Sequence, residues 1–379
     1  MSANPIRPAL RRTALAQVQR VTPVDVRSAR HLVARVYGEM ERDFGVLAPP
    51  LALHSPAPEL LAASWLTLRE TLVADGLAER AAKEVAASAV SLANSCPYCV
   101  TVHTATVNSL VRGRDAQAIA DDHFDAIDDD RLRAIAAWAR DGAVRDTASG
   151  LELPFPADQA PELVGVTAVF HYLNRMVNVF LPDVPMPDGT PRSALPVVAR
   201  VLGTLMRRAS RRPKPAGTSA DLLPAAPLPA DLAWAAGTPA VAEAFARAAR
   251  AVEQAGREVV PDSVAELLPR VLGAWDGRPP GLDRRWLDQA VAELPGADRA
   301  AGRLALLVAL ASWQVDDQTI AAFRTGSGSG TRAGTGAGGS PKAASGADRT
   351  LIHLTSWASF TAARHIASWT PLADHRSVR

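Results

Sequence analysis

Cys96 and Cys99 are the only cysteines in the 379-residue chain, and they sit three positions apart in Ser95-Cys96-Pro97-Tyr98-Cys99. A disulfide framework would scatter several cysteines along the chain, so this pair reads as a redox couple or as half of a metal site. His103 follows Cys99 by four residues. On a helix, Cys96, Cys99 and His103 therefore share one face. The reactive form of a cysteine is the thiolate, and an ordinary thiol, with a pKa of about 8.5, is mostly protonated at neutral pH. A helix N-terminus and a neighbouring imidazole both favour the anion. Such a thiolate attacks a peroxide oxygen and becomes a sulfenic acid, which a second thiol converts to a disulfide. The spacing to His103 favours Cys99 as the attacking sulfur and Cys96 as the resolving one. Proximity to the helix mouth argues for Cys96 instead, so the spacing gives Cys99 only a modest preference.

The elements that must position these groups lie in ERAAKEVAASAVSLANSCPYCVTVHTATVNSL, residues 79–110. Its first part has helical periodicity, with Val85, Ala89 and Leu92 on an apolar stripe and Glu84, Ser88, Ser91 and Ser95 on a polar one. Asn94-Ser95 interrupts it: asparagine tolerates the left-handed conformation that ends helices, and serine is a favoured N-cap. Pro97 fits only the first turn of a new helix. On one straight helix Glu84 would lie ~18 Å from Cys96, too far for shared chemistry. A hairpin at Asn94-Ser95 instead brings Glu84 and His103 to nearly the same level on adjacent antiparallel helices. There Glu84 would orient His103, and His103 would take the Cys99 proton.

The pattern Glu84, Cys96-Pro97-Tyr98-Cys99, His103, with Ser91-Leu92-Ala93-Asn94 leading in, resembles the carboxymuconolactone decarboxylase and alkylhydroperoxidase AhpD-like superfamily, above all its branch with the cysteine pair. The close motif covers about 30 residues and a looser similarity residues 20–200, including His171-Tyr172-Leu173-Asn174-Arg175-Met176. The resemblance implies an all-helical fold, homo-oligomers and peroxidase activity on small hydroperoxides. It also implies a peroxidatic Cys99, a resolving Cys96, roles for Glu84 and His103, and a dithiol reductant such as a dihydrolipoyl protein. Two departures stand out: Tyr98 occupies the place of a histidine between the cysteines, and the chain is about twice the usual length.

The remainder of the sequence reads as all-α, rich in Ala, Leu, Arg and Glu. The expected organisation is an AhpD-like catalytic domain over 1–206, a Pro- and Ala-rich linker over 207–230, and a degenerate second AhpD-like helical copy over 231–379. A flexible Gly/Ser loop is expected over 325–348. The repeat rests on 168–183 matching 356–374, which sets Arg175 against Arg364 and Phe180 against Trp369. The acidic Asp316-Asp317, at a helix start, stands where the second half lacks cysteines. A net charge of +2 gives no reason to expect nucleic acid as a partner. No run is long and apolar enough for a membrane span and no secretory signal is evident, so a reducing cytoplasm is expected. No cofactor and no metal is expected. A zinc site would use Cys96, Cys99, His103 and Glu84, but a second Cys/His pair is missing and such ligands usually sit on a knuckle. Tyr98 is expected to wall the pocket. His171, Asn174, Arg175 and Asn178 form one polar face that either lines the pocket, with Arg175 binding a substrate carboxylate, or caps helix ends and makes subunit contacts, the commoner use of such residues. The remaining histidines (His31, His54, His123, His353, His365) show no partner spacing. The alternatives to a thiol peroxidase are a carboxymuconolactone decarboxylase-like enzyme, which does not need the cysteines, and a non-enzymatic redox sensor.

Overall fold

Helix is the only regular structure in the computed structural model, which describes residues 6–111, 113–185, 209, 212–327 and 341–370. The first half comprises α1 (Ile6–Leu15), α2 (His31–Asp43), α3 (Pro49–Ala52), α4 (Pro58–Leu68), α5 (Arg80–Ala93), α6 (Pro97–Val107), α7 (Gly113–Ala120), α8 (Asp130–Asp141), α9 (Arg145–Ala148) and α10 (Ala160–Phe180). The second half comprises α11 (Pro239–Val259), α12 (Asp262–Ala274), α13 (Arg285–Ala292), α14 (Arg299–Leu310), α15 (Asp317–Ser327) and α16 (Pro341–Ala367). Proline opens α3, α4, α6, α10 and α11, where its missing N–H is no loss and its fixed φ suits the first turn. A π-helical turn, Arg69–Val73, ends α4. It carries the buried Arg69 to Asp43 (2.9 Å) and Glu70 (2.5 Å).

α10 is buried along nearly its whole length, which suits a helix that is apolar on all sides. It packs chiefly on α16 and α5, while α5 packs on α8, α6 and α10. Gly165 lets α10 lie close against the π-helical turn: a Cβ there would lie 2.5 Å from Thr71 Cγ2. One continuous core runs through both halves, with Tyr172 of α10 edge-on to Phe360 of α16 and Phe360 stacked on Phe245 of α11. The Tyr172 hydroxyl meets His54 Nε2 at 2.9 Å and Ser64 at 3.1 Å, and donates to Ser356 at 3.3 Å. His54 thus has a structural partner that its spacing did not reveal; burial pushes its pKa down to about 3, so it stays neutral.

Of the expected linker, 214–219 are bonded to the first half, while the carbonyls of Leu223 and Ala225 accept from Arg247 and Arg250 of α11. Backbone N–H groups of Lys214 and Gly217 donate to Asp75 and Glu70, and the Ser219 hydroxyl donates to Glu39. A proline-rich stretch has few internal hydrogen bonds to make, so carboxylates of its neighbours take up its donors. At the edges of the expected Gly/Ser loop the chain is helical: 325–327 finish α15, and 341–348 begin α16. Lys342, Ala343 and Ala344 are good helix formers. The rest of that expected loop, 328–340, lies outside the described residues, as do positions 207, 208, 210 and 211 of the linker and the end of the catalytic domain from 186.

Candidate active site

The hairpin expected from Asn94-Ser95 is present, shifted by one residue in its details. Ser95, not Asn94, takes the left-handed conformation (φ 50°), and Cys96, not Ser95, is the N-cap of α6. Ser95 N–H donates to Leu92 O and Cys96 N–H to Ser91 O, both at 3.0 Å, which is the Schellman closure of α5. Pro97 accounts for the cap position of Cys96, because a residue before proline is disfavoured in the helical region. A β-branched residue in the left-handed region is strained. Ser95→Val is therefore expected to cost about 1–2 kcal/mol of stability, read as a lower denaturant midpoint with unchanged slope.

Asn94 keeps a negative φ (−87°, with ψ 6°) as the C-cap of α5, and its side chain is committed. Its amide donates to Asn174 Oδ1 (2.9 Å) and meets His171 Nδ1 (3.1 Å), and its Oδ1 accepts from Arg175 Nη1 (3.2 Å). Asn178 donates to the Asn94 carbonyl (3.1 Å), and Asn174 donates to Ser91 Oγ (3.1 Å). The polar face of α10 thus clamps the end of α5 and fixes where the turn falls. His171 is fully enclosed, and burial, reinforced by the Arg175 charge, keeps it neutral. This face holds the turn from behind; the thiols are on the helix that follows.

On the two arms of the hairpin, Glu84 and His103 meet. Glu84 is completely buried, its Oε2 2.7 Å from His103 Nδ1. Its Oε1 accepts from Arg80 Nε (2.8 Å) and Nη2 (2.5 Å). Burial alone would raise this carboxyl, but Arg80 and His103 outweigh it and hold it down to about 2. With Glu84 ionised, Nδ1 of His103 carries a proton and Nε2 is the atom free to exchange one. His103 follows Cys99 by four residues, one turn further along α6. The ring also packs edge-on to Phe170 of α10, with centroids 4.6 Å apart.

Both cysteines are free thiols and both are buried. Burial, together with the neighbouring Cys99 sulfur, pushes the Cys96 thiol well up. Tyr98 is buried beside them and donates to Gln17 Oε1 (3.0 Å). Burial, then the two sulfurs, raises its pKa, so it keeps its proton. No group of three or more His, Cys, Asp or Glu side chains among the described residues is arranged to hold a metal ion.

Three participants escaped the sequence reading. Arg80 had a usable signal: it is four residues before Glu84 and sits in the first turn of α5, where a cation opposes the helix dipole unless something else requires it. Gln17 and Phe170 come from distant segments and left no local trace. Ser88 belongs to the polar stripe, and its hydroxyl, one turn beyond Glu84, is buried without a hydrogen-bond partner among the described residues.

An all-helical fold with a thiol pair at the mouth of the second helix of a hairpin, backed by a Glu–His pair, places the chain in the carboxymuconolactone decarboxylase family, in its AhpD-like form. The model of that family matches residues 59–141, which span α4 to α8 and include Glu84, both cysteines and His103. The chain is 36% identical over 361 residues to a protein named alkyl hydroperoxide reductase from Mycobacterium tuberculosis, covering 95% of this chain and 97% of that one. The extended length, including the second half, is therefore shared with that relative. No helix among the described residues is long and apolar enough to cross a membrane.

Proposed function

We propose that the chain is a thiol-dependent peroxidase that reduces small hydroperoxides through Cys99 and Cys96. The observation that carries this reading is the buried Glu84–His103 pair at 2.7 Å, one helical turn behind Cys99. His103 accepts the Cys99 proton, with Glu84 and Arg80 fixing the ring. The Cys99 thiolate attacks one peroxide oxygen, the O–O bond breaks, and the departing alkoxide takes a proton, giving Cys99 sulfenic acid and an alcohol. Cys96 then displaces water from the sulfenic acid and the disulfide forms. An external dithiol restores both thiols and is itself oxidised. The relative named alkyl hydroperoxide reductase supports the same substrate class. We place this chemistry in a reducing cytoplasm and in a homo-oligomer. The second half is proposed as a degenerate copy, a reading supported by the packing of α10 on α16, the two helices that the repeat aligns.

The test is peroxide consumption by the purified full chain with dihydrolipoamide as reductant. The expected result is catalytic turnover that needs both peroxide and dithiol; peroxide left unconsumed over many equivalents of dithiol contradicts it. The burial of both thiols favours a second reading, a redox sensor. It would show as a reversible Cys96–Cys99 disulfide without turnover.

A further inference from the structure

Ser88 is the buried member of the α5 polar stripe that the Glu84–His103 pair and the α10 clamp leave unused. Ser91, one turn further on, donates to Ala87 O (2.7 Å) and accepts from Asn174 (3.1 Å). Bonding back to a carbonyl one turn earlier is the ordinary resort of a buried helical hydroxyl. Ser64, Thr67 and Thr71 make the same bond, at 2.7, 2.9 and 2.8 Å. Ser88 does not: it is completely buried, and its Oγ meets no partner among the described residues. An unbonded buried hydroxyl is destabilising, so its presence asks for a second state in which it is bonded.

The register of the hairpin identifies what lies opposite. At one end of the facing stretch, Cys96 N–H donates to Ser91 O (3.0 Å); at the other, Glu84 Oε2 meets His103 Nδ1 (2.7 Å). Ser88 lies three residues before Ser91 and four after Glu84, while Cys99 lies three after Cys96 and four before His103. On antiparallel arms, Ser88 and Cys99 therefore sit at the same level, each on the face that carries its arm's two known contacts. The other buried hydroxyl without a partner, Thr104, sits about 100° round α6 from His103, off the face of the sulfurs. Cys99 is 4% exposed, so bulk water does little to solvate an anion formed there. Its neighbour Cys96 offers only an S–H, a weak donor. A neutral thiol needs no stronger donor, but a buried thiolate does.

We propose that Ser88 is a further catalytic residue: when Cys99 gives its proton to His103, the Ser88 hydroxyl turns to the sulfur and donates a hydrogen bond to the thiolate. The proton that moves is that of Cys99, which passes to His103 Nε2; the hydroxyl keeps its own. The bond exists only in the reactive form, so it favours ionisation rather than the fold. This assignment rests on Cys99 as the ionising sulfur, which belongs to the peroxidase reading, but not on peroxide as the oxidant.

The test is titration of the Cys99 thiolate by its ultraviolet absorbance in the full chain carrying Cys96→Ala, which leaves one thiol and puts no new hydroxyl beside it. A Cys96→Ala/Cys99→Ala chain supplies the tyrosine background. Adding Ser88→Ala is expected to raise the midpoint by about one pH unit, the equivalent of one hydrogen bond to a charged group. The other ionisable groups around the pair stay in place: Arg80 and Glu84 on α5, Cys96's neighbours Tyr98 and His103 on α6, His171 and Arg175 on α10, and Asp183 beyond it. The melting temperature is expected to stay level or rise, because the variant deletes an unbonded buried oxygen. An unchanged midpoint, with or without a lower melting temperature, overturns the proposal and leaves Ser88 to packing. In the same pair of chains, consumption of the first equivalent of hydroperoxide below the midpoint is expected to slow severalfold, the loss of thiolate outweighing the gain in nucleophilicity that accompanies a higher pKa. A raised midpoint in chains that consume no peroxide upholds Ser88 and sinks the peroxidase reading instead.

Discussion

Cys99→Ser is expected to abolish peroxide turnover, by about three orders of magnitude or more, while the protein stays folded. Serine is nearly isosteric, so the buried position keeps its packing, but a serine hydroxyl is not ionised near neutrality and is a poor nucleophile toward peroxide oxygen. Cys96→Ser is expected to behave differently. Without a resolving thiol the first turnover still occurs, leaving Cys99 as a sulfenic acid that no internal partner can resolve. Steady-state turnover then falls, while one equivalent of peroxide per chain is still consumed. Stopped-flow measurement of that single equivalent separates the two cysteines. A Cys99→Ser protein that consumed its equivalent while Cys96→Ser did not would reverse the assignment, in favour of the sulfur nearest the helix mouth.

Glu84→Gln is the second large effect. The carboxylate joins Arg80 on one oxygen and His103 on the other inside a site with no exposure of its own. An amide can still accept one hydrogen bond, but it no longer carries the charge that fixes the His103 proton on Nδ1. Turnover is expected to drop about 10²-fold, as for the loss of a positioned general acid–base system. Stability is expected to fall as well, because Arg80 is left partly buried without its counter-charge. The pH dependence follows from the same carboxyl. Its folded pKa of about 2 lies below its ordinary 4.5. The stability it contributes is therefore fully present above about pH 4.5 and is lost as pH falls toward 2. That contribution is on the order of 3 kcal/mol. Chemical denaturation between pH 6 and 3 is expected to show a shallower acid loss in Glu84→Gln than in the native chain, and parallel curves contradict this.

The fold class and the chemical cluster were legible because both are local in sequence. Helix periodicity, a proline that permits only a first turn, and the i, i+3, i+7 spacing of Cys96, Cys99 and His103 are decided within a few residues of one another. The hairpin register that brings Glu84 to His103 needed only helix rise and a turn position. The precise cap residues were not legible, since Asn94 is held by four residues of α10 some 80 positions away, and that clamp moves the left-handed residue to Ser95. The polar face of α10 was visible as a stripe, but its use depends on which helix end lies opposite. Gln17 over Tyr98 and the second-half tryptophans beside Arg175 are products of tertiary packing, and no spacing announces them. The linker offered the same lesson. Its composition predicts a connection, whereas the carboxylates that receive it, Glu39, Glu70 and Asp75, lie in separate segments of the first half.

The most direct trial of this account is to add one equivalent of hydroperoxide to the fully reduced chain, trap the thiols and map them by mass spectrometry. The expected product is an intramolecular Cys96–Cys99 disulfide, formed through a sulfenic acid that Cys96→Ser traps on Cys99. Two unchanged thiols with the peroxide still present, or a sulfenic acid trapped on Cys96 in the Cys99→Ser chain, would contradict it.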